Sequence, residues 1–558
     1  MAFRPKSKGN YVFSVFVWLV VTVLLSVQGY AQVPSATVTG SVGDVSGAVI
    51  PHAQISTKNV AATVARNLAV DPAGFGLAPS LQVSAAEGQA PGVDPLMPPE
   101  RELAMKIKGP FTLAGVGDIL IRHPFGQLAE PGFQNLVKHL RDADIGFANL
   151  EGTLIDYDNF AHPLGNGLPK GVLADLKSMG IRMVSTANNH FLDSYEAGVF
   201  ETIRILNAGD IAHAGTGGNL QEARAPAFLN TPKGVVGLVG VYSIAYPGFQ
   251  PHLVPGVDEE PTPGELPSSA ATYRNGDQGG RPGANVLRVT PNYSVSTEEM
   301  AALRKMRDSV YSHRDEVPGA VPPVLANEPK DRLSWLGQSY KVGGKPGEIT
   351  YQMNSGDLTE ILRSIRNGKQ NSDFMIVTIH CHQNNYVYQQ YGFDHEVPDF
   401  LAEFAHRAID NGADAVIGHG VHTIRPVEIY KGKPIFYGLS EFAWQAPQSS
   451  IPQNPGGEAT DAEARYRPGS EMDRLNKPET LENLLAESQY ENGRLVEVRL
   501  YPGDLGQDQS RPLSRRGIPL MPSPEMAKRV LEKVQRLSQP FGTKIAIENG
   551  VGVIRVPH

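Results

Sequence analysis

Residues 412–422 read GADAVIGHGVH. The apolar run at 415–417 has the composition of a short strand buried on both faces, and the chain then sets His419 and His422 in a glycine-flanked turn at its end. A single histidine after an apolar strand is more often a hydrogen-bonded group than a ligand. The run therefore gains meaning only from what stands at the ends of the other strands.

The same arrangement recurs upstream. FTLAGVGDIL (111–120) leads to Asp118, IGFANLEGTL (145–154) to Glu151, IRMVSTANNH (181–190) to Asn188, Asn189 and His190, and FMIVTIHCHQ (374–383) to His380 and His382. Between these strands lie segments with helical apolar spacing, such as FQNLVKHLRDA (133–143), GVLADLKSMG (171–180), DLTEILRSIRNG (357–368) and FLAEFAHRAIDNG (400–412). Strand and helix in alternation predict a layered α/β domain. In such a domain, side chains just beyond the strands converge in the crevice at the sheet edge.

The convergent residues are carboxylates, an amide and imidazoles, with no thiolate. That mix suits Mn, Fe or Zn, and the number of donors is enough for two ions. Two neighbouring ions can activate a water and hold the oxygens of an in-line displacement, which is hydrolytic phosphoryl chemistry. Cys381 alternates with His380 and His382, so its thiol is expected on the opposite, packed face.

VGD, FANLEGTL, TANNHFLD, AGTGGNLQEARAP, GADAVIGHGVH and RPVEIYKGKPIFYGLSEF, in this order over residues 110–445, resemble the CapA family of capsule and poly-gamma-glutamate biosynthesis proteins. That family belongs to the calcineurin-like metallophosphoesterase superfamily. The resemblance implies an α/β fold of four layers, αββα, with two mixed sheets packed face to face and helices outside. It implies divalent metal, two ions, held by Asp118, Glu151 as the bridging carboxylate, Asn189, His380, His419 and His422. His190 matches the histidine that protonates the leaving group or polarises the substrate.

Some positions depart from the family pattern. Leu120 stands where the wider superfamily has the histidine of D-x-H, and His123 or His382 could compensate; the plainer alternatives are a solvated loop histidine and an outer hydrogen-bond donor. The last two histidines are spaced by three rather than two. Ser440 and Glu441 replace a common Gly and Asn, so the resemblance gives them no role. Asn188 belongs to the same loop as the amide ligand. Asp193 is expected to orient that loop and its imidazole. Arg122 and Arg425 flank ligand motifs, where they could clamp an anionic oxygen or form a structural ion pair.

A chain of 558 residues calls for more than one simple core. Its net charge of −8, without basic runs past the N-terminus, argues against a nucleic-acid partner. One cysteine rules out intramolecular disulfides. Arg4, Lys6 and Lys8 precede the apolar stretch 11–27 and small residues at Gly29 and Ala31, which predicts a secretory signal over 1–31, cleaved after Ala31 or retained as an anchor. Residues 32–80, rich in alternating Val and Thr, resemble a truncated carboxypeptidase regulatory-like β module, a small N-terminal β fragment, followed by a linker over 81–105. The main domain is expected over 106–558. Within it, Pro, Gly and acidic residues at 245–295 predict a surface insertion, either a lid or a disordered loop.

The expected protein is an exported metal-dependent hydrolase of the periplasm or cell envelope. Its partners would be an anionic envelope polymer or a phosphoester, and membrane-bound polymer synthesis machinery. Two alternatives stand beside it: a non-catalytic polymer-binding or assembly protein on the same fold, and an exported phosphoesterase or nucleotidase unrelated to capsule.

Overall fold

Each apolar run becomes a strand whose two faces enter two different cores. The computed structural model describes residues 54–58, 65–69, 102–159, 167–245, 270–272, 280–312, 328–387, 394–445, 478–508 and 510–557. The expected signal, and the expected linker up to residue 101, lie outside the described residues. Among the described residues no helix is long and apolar enough to cross a membrane.

The chain divides into two compact units, Met1–Met97 and Pro98–His558. In the first, Gln54–Lys58 pairs antiparallel with Ala65–Ala69; the rest of the expected β module lies outside the described residues.

The second unit holds a nine-stranded and a ten-stranded sheet. In the nine-stranded sheet, β1 (Pro110–Leu120), β2 (Ile145–Leu150) and β3 (Ile181–Ser185) run parallel. Long antiparallel strands Glu482–Glu491 and Arg494–Asp504 extend the sheet beyond β1. The ten-stranded sheet is built on the parallel strands β4 (Gly234–Ala245), β5 (Phe374–His380) and β6 (Ala415–His419).

Strand alternation sorts the side chains. Phe111, Leu113, Ile145, Phe147 and Met183 of the first sheet share one core with Val236, Leu238, Phe374, Ile376, Ala415 and Ile417 of the second. That core is the seam between two sheets packed face to face. Ala114, Val116, Ala148, Leu150 and Val184 point the other way, against Phe133, Leu136, Val137 and Leu140 of α1 (Pro131–Asp142) and Val172, Leu176 and Met179 of α2 (Val172–Met179). Val239, Val241, Met375, Val377, Ile379 and Val416 likewise face Leu358, Ile361 and Ile365 of α3 (Ser355–Gln370) and Phe400, Phe404 and Ala408 of α4 (Asp399–Asp410). The four expected layers are thus present, and the strands are continuously apolar because neither face meets water.

Local side chains set the ends of several elements. Ser296 and Glu299 form a capping box, Ser523 caps the helix Pro524–Ser538, and Asn549 and Gly550, both at positive φ, turn Ala546–Glu548 into Val551–Arg555. That C-terminal helix buries Met526, Val530, Leu531 and Val534 in the seam between the sheets.

The insertion at 245–295 needs correction. Its last part is strand, Val286–Val295, hydrogen-bonded in parallel to β4 from Tyr242↔Val286 onward. Pro291 stands level with Tyr351 of the antiparallel neighbour Ile349–Met353, whose own N–H turns away to Asp399 Oδ1, and on the other edge the parallel pairings stop at Val289 and resume at Asn292, so the missing N–H costs no ladder bond. Three further strands, Arg332–Trp335, Gln338–Val342 and Ile349–Met353, extend the sheet and carried no sequence signal strong enough to be read.

Candidate metal centre

Strand register brings the donors together. Asp118 on β1 is level with Asn149 on β2, and His380 on β5 is level with His419 on β6. The carboxyl ends of the parallel strands of both sheets therefore open on one crevice, and residues more than two hundred positions apart become neighbours. Two glycines permit the approach. A Cβ on Gly117 would lie 1.8 Å from Ser440 O, where that oxygen accepts the Asp118 N–H at 3.1 Å. Gly420, at φ +93°, lies so close to the His380 ring that a Cβ would sit 2.8 Å from its Nε2.

The donors form two abutting groups. Asp118, His380 and His419 make the first; Glu151, His382 and His422 make the second; within each, one donor atom per residue lies within 4.8 Å of the others. In the first group His380 Nδ1 and His419 Nδ1 are 2.8 Å apart and stand 3.7 and 3.6 Å from Asp118 Oδ1. Thr378 Oγ1 lies 3.0 Å from His419 Nε2, and Gly420 N–H donates to Asp118 Oδ2 at 2.9 Å. His380 also joins the groups: its Nε2 is 2.8 Å from His382 Nε2 and 3.8 Å from Glu151 Oε1. Asn189 Oδ1 stands 3.0 Å from the same nitrogen.

Burial sets the electrostatics. Asp118 is held well above the usual carboxylate range by desolvation and by the Glu151 charge, against the pull of the Gly420 N–H and the Asn149 amide. His380 lies well below the imidazole range through desolvation and four neighbouring imidazoles, and burial pushes His419 down to about 3. Both rings are thus neutral, with lone pairs available to a metal. Asp118, Glu151 and Glu441 are three buried carboxylates set against imidazoles, an acidic cluster whose charge a dication would balance. The donor chemistry fits the ion class expected from sequence.

His190 sits at the rim. Its side chain is 22 % exposed, its Nδ1 lies 2.9 Å from Asp193 Oδ2, and its Nε2 is 4.0 Å from Glu151 Oε1. Asn188 ties the loop down, donating to Leu150 O at 2.8 Å and accepting the His190 N–H at 3.1 Å.

Other expectations change. His382, weighed as an outer donor, stands in the second group as a full member. Leu120 packs into the outer core beside Trp444 instead. Arg425 is no clamp: it is buried, and its guanidinium is bonded to Asp394 O, Gln383 O and Cys381 Sγ. Arg122 donates its Nε to Gln445 O, and its own N–H and that of His123 both reach Gln445 Oε1, so neither residue joins the two groups. Cys381 faces the outer core, as alternation required.

Asn149 and Glu441 were missed. The Asn149 amide donates to Asp118 Oδ1 at 2.8 Å and lies 3.4 Å from His380 Nδ1. Its signal was available, since in FANLE it stands two residues before Glu151, on the same strand face. Glu441 lies against His422, with Oε1 3.0 Å from Nδ1.

A family model described as bacterial capsule synthesis protein PGA_cap matches residues 112–446. The uncharacterized protein y4sH of Sinorhizobium fredii is 34% identical over 473 residues, 80% of this chain and 93% of its own length. A probable polyglutamine synthesis accessory protein of Mycobacterium tuberculosis is 25% identical over 300 residues, 53% of this chain and 55% of its own. The PGA biosynthesis protein CapA of Bacillus subtilis is 31% identical over 80 residues, 14% of this chain and 19% of its own.

Proposed function

The chain belongs to the PGA_cap family of bacterial capsule synthesis proteins, and from that premise we propose that it is an exported metal-dependent hydrolase acting in capsule or poly-gamma-glutamate biosynthesis. The observation that carries this reading is the pair of abutting buried donor groups, contributed by strand ends of both sheets. Asp118, His380 and His419 would hold one ion, and Glu151, His382 and His422 a second, with Asn189 beside them. Mn, Fe or Zn suits these oxygen and imidazole donors. When bound, such ions supply an acidified water and positive charge for the oxygens of the scissile group.

The remaining steps fall to the chain itself. Asp193, against Nδ1, stabilises His190 as the imidazolium. Its Nε2–H is then aimed at the crevice, where it protonates the leaving group and leaves the neutral ring protonated on Nδ1. Asn188 keeps that imidazole in place through its backbone N–H. The relatives are named for polyglutamine synthesis and PGA biosynthesis, which supports a part in making such a polymer; on this reading the substrate is an anionic envelope polymer and the partner membrane-bound synthesis machinery. The basic and apolar leader at 1–27 supports export to the periplasm or envelope.

Elemental analysis of the purified full-length protein tests the reading, alongside His419→Ala and His382→Ala. About two equivalents in the parent, reduced in each variant, would support the binuclear site. Cleavage of poly-gamma-glutamate against cleavage of small phosphodiesters then separates the capsule hydrolase from a general phosphoesterase. Two equivalents with no cleavage of either would favour a polymer-binding role, and no metal after reconstitution would refute the hydrolase.

A further inference from the structure

From the surroundings of His422 we infer that Glu441 is a positioning residue that fixes His422 as a ligand of the second metal group; this rests on the metal reading above. Glu441 opens the strand Glu441–Trp444, which pairs in parallel with the end of β1 in the register Glu441↔Asp118, followed by a bulge. Ser440 before it adopts φ +65°, and its carbonyl is the one pressed against Gly117. That kink turns Glu441 inward, where it is 1% exposed and its charge is felt by Asp118.

His422 is held at two points by this short segment. Its backbone has φ +55°, a conformation a non-glycine residue keeps only when its surroundings impose it. Ser440 Oγ donates to His422 O at 3.0 Å, and Glu441 Oε1 lies 3.0 Å from the ring Nδ1. The contact is one of charge and not an aligned hydrogen bond; a carboxylate this close to Nδ1 favours the proton there, which leaves the Nε2 lone pair for a metal. The first group has no such carboxylate on its imidazoles: His419 Nε2 meets the Thr378 hydroxyl. The two groups should therefore respond differently to loss of the Glu441 charge.

Zinc titration of the metal-free full-length protein by competition with a chromophoric chelator tests this on wild type, Glu441→Gln and His422→Ala. Glutamine keeps the shape of the buried side chain and removes its charge. The expected result is a second equivalent bound about 10–100-fold more weakly in Glu441→Gln, with the first equivalent changed far less. An unchanged second equivalent, or equal weakening of both, overturns the inference. Complete loss of the second equivalent, as in His422→Ala, overturns it in favour of Glu441 as a direct ligand. Wild type that binds no zinc removes the metal reading itself, a failure visible before any variant is compared.

A measurement on the wild type stands even if Glu441→Gln does not fold. In the Co(II)-loaded protein, a His422 bound through Nε2 keeps its Nδ1 proton, which should give an exchangeable, paramagnetically shifted NMR signal. That signal should be absent in His422→Ala. Its absence from the wild type overturns the inference.

Discussion

Gly117→Ala tests how closely β1 and its neighbour Glu441–Trp444 are fitted at the centre. A Cβ at this position would lie 1.8 Å from Ser440 O, 3.0 Å from its carbonyl carbon and 3.3 Å from Leu439 C. These are backbone atoms of the segment that enters Glu441–Trp444, so no rotamer change relieves the clash. The segment must retreat by roughly 1 Å or more, since carbon and oxygen do not approach closer than about 3 Å. Overpacking of this kind costs about 1–3 kcal/mol, and loss of the Asp118 N–H bond to Ser440 O about 1 kcal/mol more. Alanine recovers about 0.4–1 kcal/mol by restricting the unfolded chain, because Gly117 does not have positive φ. The expected net loss is about 1–3 kcal/mol. Gly115→Ala is the control: two residues away, its Cβ meets Ile417 Cδ1 at 2.9 Å, the end of a rotatable side chain, and the expected change is within about 1 kcal/mol of zero. Urea unfolding of the metal-free proteins reads both, and metal analysis should show Gly117→Ala deficient, because Asp118 and Glu441 move with the strands. Wild-type stability and metal content in Gly117→Ala, or a larger loss in Gly115→Ala, would refute the reasoning.

Other outcomes follow from the same geometry. His190→Ala should keep the full metal complement while turnover falls about 10²–10⁴-fold, and Asp193→Asn should fall less; metal loss in either would move His190 into the ligand set. Lys369 is fully buried, with Nζ 2.6 Å from Asp414 Oδ2, so Lys369→Met leaves a buried carboxylate with Lys433 at 3.1 Å and the Met375 N–H at 2.9 Å; chemical denaturation should show a loss of about 3 kcal/mol. Adding Asp414→Asn should recover part of it, since an amide oxygen can still accept the Met375 N–H. Asp175 is buried and its pKa is raised to about 6 by desolvation. The native state then binds more protons than the unfolded chain between about pH 4 and 6, so this carboxyl's contribution is present at low pH and lost as pH rises through about 6. Stability of wild type relative to Asp175→Asn should fall across that window by up to about 3 kcal/mol, and a flat difference would contradict the raised pKa.

The periodicity of the sequence determined a layered α/β domain and set candidate donors at its strand ends; the second sheet was implied by the family resemblance. Apolar runs of strand length need cover on both faces, which helices alone, or helices and a second sheet, can supply. Asp118, Glu151, Asn189, His190, His380 and His419 were legible because each stands at the end of such a run, and strand ends in these sheets share a crevice. The strand Val286–Val295 was not legible, because Pro291 and a half-exposed face mask its period. Arg122 and Arg425 could not be judged either, since a guanidinium beside a ligand motif looks the same whether it meets substrate or, as Arg425 does, backbone carbonyls.

What only the tertiary structure decided was how the donors divide. His382 joins Glu151 and His422, Asn149 joins Asp118, and Glu441 backs His422. These contacts depend on a bulge, on left-handed residues at His422 and Ser440, and on a glycine that admits a carbonyl within van der Waals distance. A one-letter code carries residue type and local period. The register between strands three hundred residues apart, and the ångström-scale approach that makes a carboxylate a neighbour of one imidazole and not another, arise only when the two sheets close on each other.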